Sequence, residues 1–164
     1  MLLSEQAYQK IDRELEKFPA DQRRSAIMAA LAIAQKEKGW VSPEIMADVA
    51  RHIGVEAIAV QEVATFYNMF NLKPVGRVTI TVCTNLPCAL RDGVKAGEYL
   101  KEKLGIDYGE TTADGQFSLL MGECMGSCGD APVMLLNNQH MCVHMQPERI
   151  DAVLEELKKH GESA

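Results

Sequence analysis

GECMGSCGDAP, residues 122–132, places Cys124 and Cys128 in a run with glycine at 122, 126 and 129 and a proline at its end. A cysteine that merely fills a core needs no such company. Glycine permits positive φ and close backbone approach, so the run reads as a loop wrapped around something. Strand-like segments flank it, GQFSLLMG (115–122) before and APVMLLNN (131–138) after. Upstream, RVTITVC (77–83) alternates Val78, Ile80 and Val82 with Thr79 and Thr81. That is the pattern of a half-buried strand, and it ends on Cys83. CTNLPC (83–88) then sets Cys88 five positions on, in a loop held by Pro87. Two cysteine pairs at strand ends are placed to converge at one edge of a sheet.

Four convergent thiolates point to a metal centre. By spacing alone, structural zinc stands beside an iron–sulfur cluster, since both take four cysteines in short pairs. Two disulfides run against a reducing compartment, and a thioredoxin-like thiol switch would show C-x-x-C, which is absent. If a cluster is held, its sulfides and thiolates carry negative charge that backbone N–H groups offset. No Lys or Arg lies in 122–132. Amide dipoles would therefore do this, with Asn85 and Arg91 as candidates from the other loop.

The rest of the chain supplies the setting. Its 164 residues suit one domain, or a compact domain with a substantial extension. Hydrophobic residues at 47% and charged residues at 24% are ordinary for a globular protein with a real core. The net charge of −6 argues against a nucleic-acid partner, which needs a basic face. No apolar run approaches the roughly 18 residues of a membrane span, and MLLSEQAYQK lacks a signal-peptide core. The expectation is a cytoplasmic protein with no direct membrane insertion.

Residues 1–72 read as a helical bundle. Tyr8, Ile11, Leu15 and Phe18 form one apolar stripe closed by Pro19. Asp21 is placed to cap a second helix, with Ile27, Leu31 and Ala34 on one face and Gly39 at its end. SPEIMADVARHIG opens with Ser42 as N-cap and Pro43 at the first helical position, and Gly54 ends it. EAIAVQEVATFYNMF then runs helical toward Asn71. Residues 73–164 read β-α-β-β-β-α, with a helix over 93–104, NNQ as a turn into HMCVHM, and a last helix opening at Pro147. The fold class is α+β.

CTNLPC followed by GETTADGQFSLLMGECMGSCGDAPVMLLN (109–137) resembles the thioredoxin-like 2Fe–2S ferredoxins. Its C-x4-C pair, separation and C-x3-C pair are specific to that pattern. EVATFYNMF (62–70) is similar to the N-terminal helical domain of one branch, the E or 24 kDa subunits of NADH-quinone oxidoreductase (respiratory complex I). The resemblance thus covers nearly the whole chain. It implies a thioredoxin-like domain over 73–164 in which Cys83, Cys88, Cys124 and Cys128 ligate one 2Fe–2S cluster. It also implies an electron-transfer role, with FMN and NADH bound on a partner flavoprotein subunit that itself carries a 4Fe–4S cluster. The other complex I peripheral-arm subunits are the remaining partners, and the site is peripheral on the cytoplasmic face of the inner membrane. The same resemblance admits the equivalent diaphorase subunit of an NAD-linked hydrogenase or formate dehydrogenase. A zinc-stabilised interaction module is the different-class alternative.

Other residues invite functions that simpler readings absorb. His140, Cys142 and His144 alternate on one face of a strand, as a His/Cys metal site would, yet four loop cysteines already complete a cluster. An ordinary strand is the preferred reading. Methionines 69, 121, 125, 134, 141 and 145 read mainly as core, with Met125 as a shield over the metal loop. Phe66, Tyr67 and Phe70, at helical spacing, also read as core. Pro132 stands where thioredoxin folds often carry a cis-proline. No nucleotide-binding glycine motif, P-loop or catalytic Ser/His/Asp set appears, so no substrate site of its own is expected.

Overall fold

The computed structural model describes residues 2–159. The chain divides into two compact units, Met1–Pro74 and Val75–Ala164. The first is helical: α1 (Glu5–Leu15), α2 (Ile27–Lys38), α3 (Pro43–Ile53) and α4 (Ala57–Phe66), with a short 3₁₀ turn over Arg23–Ala26. Ser42 accepts a hydrogen bond from the Ile45 amide, and Gly39 and Gly54 end α2 and α3 at positive φ, so the stop signals work as written. Ile11, Leu31, Val41, Val49, Ile53 and Val60 are fully enclosed in its core. Asp48 is buried there too, accepting from the Tyr8 hydroxyl, the Leu2 amide and Arg51. Burial pushes its carboxyl up, but these donors outweigh that and hold it below the ordinary Asp value.

Three local expectations fail in this unit. Asp21 caps nothing: α2 is entered directly from the 3₁₀ turn, and no side chain caps either. The α1 stripe stops at Leu15, and Phe18 lies beyond the helix, on the surface. The fourth helix stops at Phe66, where Tyr67 turns extended (φ −94, ψ 114). Unbroken, it would have put residues 66 and 70 on one face. The break instead sends Phe70 into the core and leaves Phe66 79% exposed and Tyr67 40% exposed, so the core reading holds for one aromatic of three.

The second unit is a four-stranded sheet in the order β2-β1-β3-β4, from β1 (Val78–Cys83), β2 (Phe117–Gly122), β3 (Met134–Leu136) and β4 (His140–Cys142). β1 and β2 are parallel, which requires a crossover, and α6 (Gly93–Leu104) supplies it. A one-turn helix, α5 (Leu86–Ala89), precedes it, and α7 (Pro147–Lys159) closes the described chain. β3 and β4 form a hairpin whose Asn137 and Asn138 both have positive φ, with the Gln139 amide donating to the Leu136 carbonyl. That is the turn chemistry NNQ suggested.

Val78, Ile80 and Val82 face Ala96 and Leu100 of α6 and Ile150 and Leu154 of α7. The half-buried reading of β1 is corrected here. β1 lies inside the sheet, and five of its six residues are buried. Its second face is closed by polar contacts: the Thr79 hydroxyl donates to Asn137 Oδ1, and on neighbouring β2 the buried Ser118 hydroxyl meets Thr111 at 2.6 Å. Alternation in sequence therefore marks an apolar and a polar face, not a covered and an open one.

Candidate metal centre

Cys83 is the last residue of β1, and Cys88 sits in α5. Asn85 caps that turn, its Oδ1 accepting from the Leu86 amide at 3.2 Å. Both cysteines are only 2% exposed, packed with Ala131, Val133 and the partly buried Met125 and Val143. α6 comes down directly on their backbone. A Cβ added at Gly93 would lie 2.8 Å from the Cys88 carbonyl and 2.9 Å from that of Cys83, so only glycine fits there.

The second pair is built differently. Cys124 follows β2, and Cys128 opens a 3₁₀ turn over Cys128–Asp130. Cys124 is exposed and Cys128 half-buried. Gly126 between them has φ +79, the left-handed region that favours glycine. The three glycines of the opening run are not equivalent. Gly122 is needed for space, since a Cβ there would come within 2.5 Å of Thr81, whereas Gly129 borders open space at an ordinary φ.

The four thiols fall into two pairs. Cys124 and Cys128 Sγ atoms are 3.5 Å apart. Two sulfurs held about 2.3 Å from one tetrahedral metal lie about 3.8 Å apart, so this pair stands at nearly a ligand separation. Burial pushes the Cys88 thiol up to about 11, reinforced by the hydrogen bond its S–H donates to Cys83 and by the charges of Cys83 and Cys128. Cys128 is pushed up by its contact with Cys124, by burial, and by the charges of Cys124 and Cys83. Each pair thus senses the other. Thiolates crowded this closely repel unless a cation lies among them, which is the condition a metal centre relieves.

Among the described residues, no three His, Cys, Asp or Glu side chains gather as a single-ion site. The thiols come in twos. A two-iron cluster takes its four cysteines as two pairs, whereas closed zinc needs all four about one ion. Four thiols carried on two neighbouring loops match the ligand number of a 2Fe–2S cluster. Amide donors also reach the sulfurs. The Val133 N–H donates to Cys88, the Cys128 amide favours its own thiolate, and the Val133 carbonyl accepts from the Cys83 amide at 3.1 Å. Val133 lies just past the quoted glycine run and carried no sequence signal. Arg91 is exposed and bonds through its amide to the Cys88 carbonyl, 3.0 Å away.

The remaining candidates separate from this centre. β4 ends at Cys142, and His144 has φ +54, so the three residues do not share one strand face. His144 pairs with Asp130 at 3.6 Å, and Cys142 packs against the sheet core, its thiol pushed up by burial. Met134 and Met145 are core residues, Met125 covers the inner cysteines, and Met121 and Met141 are exposed. The Ala131–Pro132 peptide is cis.

With fold and thiols in place, the comparisons with known proteins agree on the class. The chain belongs to the thioredoxin-like [2Fe-2S] ferredoxin family, whose model it matches over residues 11–158. That family's cofactor is one 2Fe–2S cluster. Among curated relatives, the chain is 41% identical over 145 residues to the NADH-quinone oxidoreductase E subunit of Rickettsia bellii, covering 88% of this chain and 86% of that one. It is 37% identical over 148 residues to NADH-quinone oxidoreductase subunit 2 of Thermus thermophilus, covering 90% and 82%. A crystal structure of an NAD+-reducing [NiFe]-hydrogenase superposes with a TM-score of 0.67 at 21% identity. That match covers 79% of this chain and spans 23% of the hydrogenase chain, so it speaks to fold alone.

Proposed function

We propose that this chain is the electron-carrier subunit of an NADH:quinone oxidoreductase. In this reading Cys83, Cys88, Cys124 and Cys128 hold one 2Fe–2S cluster, which supplies one-electron exchange with the FMN of a partner flavoprotein subunit. The observation that carries the reading is two cysteine pairs at the ends of the adjacent parallel strands β1 and β2, on a chain about 40% identical to such subunits over nearly its whole length.

The residues divide the work. Gly93 and Val133 fix the inner pair against the sheet and keep water from it, while Gly126 lets the outer pair curl toward it. The flank of the site is apolar and open: Leu86, Leu90 and Val94, four apart, are all exposed, and Met121 is 65% exposed. Exposed large apolar side chains near the ligand loops suit a contact with a flavoprotein partner. The chain itself carries no flavin or nicotinamide motif, so it acts as a carrier without a substrate site. Among the described residues no helix is long and apolar enough to cross a membrane, which suits a peripheral arm on the cytoplasmic face.

The test is NADH-driven reduction. The purified chain mixed with NADH alone should keep its visible spectrum, and adding the co-expressed flavoprotein should bleach it. Leu90→Asp should weaken that pairing. Bleaching by NADH without any partner would refute the division of labour. The hydrogenase or formate dehydrogenase setting predicts the same cluster with a different co-purifying partner.

A further inference from the structure

The two ligand pairs ride on separate loops, and their separation must be held. Backbone contact between the loops is sparse: the Thr84 amide reaches the Gly122 carbonyl only at 3.4 Å. Asn85 does more. Its Oδ1 caps the turn that carries Cys88, and its Nδ2 donates to Glu123 Oε2 at 2.7 Å, across 38 residues of sequence. Glu123 is the immediate neighbour of Cys124. Among the described residues this is the one side-chain hydrogen bond joining loop 84–92 to loop 123–131. One amide group thus links the inner ligand turn to the outer ligand loop, and the carboxylate it holds belongs to the residue before Cys124, in a loop without Lys or Arg.

We propose that Asn85 and Glu123 form a clasp that fixes the spacing of the two ligand pairs and keeps a carboxylate on the residue next to Cys124, lowering the reduction potential of a bound cluster. The inference rests on the four-cysteine reading above. Adding an electron to a centre is disfavoured by nearby negative charge, so the carboxylate favours the oxidised form. The two residues are positioning residues, and their roles separate chemically. Glu123→Gln removes the charge but keeps an oxygen for Asn85 to donate to. Asn85→Ser keeps a capping hydroxyl for the ligand turn but is too short to reach Glu123.

The experiment uses the full chain carrying its cluster, read by redox titration and by iron release to a chelator. Glu123→Gln should shift the midpoint to more positive potential with iron release at the wild-type rate. Asn85→Ser should release iron several-fold faster, with a smaller shift in potential. An unchanged midpoint in Glu123→Gln, or wild-type iron release in Asn85→Ser, overturns the clasp. A wild-type chain that takes up no iron overturns the ligand reading itself, which keeps the two failures distinct.

Discussion

The two cysteine pairs of the candidate centre have the same donor atoms and opposite surroundings. Cys83 and Cys88 are enclosed by β1, α6, Val133 and Met125, while Cys124 and Cys128 stand on a loop open to solvent. The inner pair is fixed by the fold, since the residues that bury it also build the sheet unit. The outer pair is fixed by loop chemistry, a left-handed glycine and one side-chain bond to the neighbouring loop. A cluster held this way has one side anchored and insulated and one side presented outward, the asymmetry that a docking electron carrier needs.

Cysteine replacements break the comparison most severely. Ser at any of the four positions should abolish the visible absorption and iron content of the purified chain. The inner and outer changes should then differ in the metal-free protein. Cys83→Ser and Cys88→Ser place a hydroxyl in an apolar pocket and should cost about 1–3 kcal/mol in denaturant unfolding. Cys124→Ser should leave that curve within about 0.5 kcal/mol of the parent. Equal losses for both pairs would show that the fold does not distinguish them.

Gly93→Ala probes the inner anchor without touching a sulfur. Its Cβ meets backbone rather than a flexible side chain, so overpacking should destabilise by about 1–3 kcal/mol and reduce iron occupancy together. Gly126→Ala probes the outer loop, where left-handed strain costs about 1–2 kcal/mol. That cost should appear both as lower stability in metal-free unfolding and as slower cluster reconstitution. Smallest of all, Cys142→Ser should leave iron content and spectrum unchanged, because Cys142 belongs to the sheet core and not to the thiol group.

What the sequence made legible follows the same division. The cysteine spacing, the glycine between Cys124 and Cys128, the β-α-β-β-β-α order and the Asn-Asn turn are local signals, and each acts locally in the structure. Burial is not local. The alternation of 77–83 has the look of a surface strand, but β2 and β3 flank it and its second face closes through Thr79 and Asn137. Phe66 and Phe70 have one spacing and opposite fates because the chain turns at Tyr67. Val133 and Glu123 were silent because their partners, Cys88 and Asn85, lie 45 and 38 residues away by number. Gly93 was silent for a related reason: an Asp-Gly start to a helix says nothing about which backbone lies beneath it.

The most direct measurement is anaerobic purification of this chain, with its visible spectrum, iron and zinc content and low-temperature EPR before and after dithionite. The expected result is a red-brown protein with about two irons that bleaches on reduction and gives an S = 1/2 signal. A colourless chain holding one zinc, unable to take up a cluster on reconstitution, would contradict it.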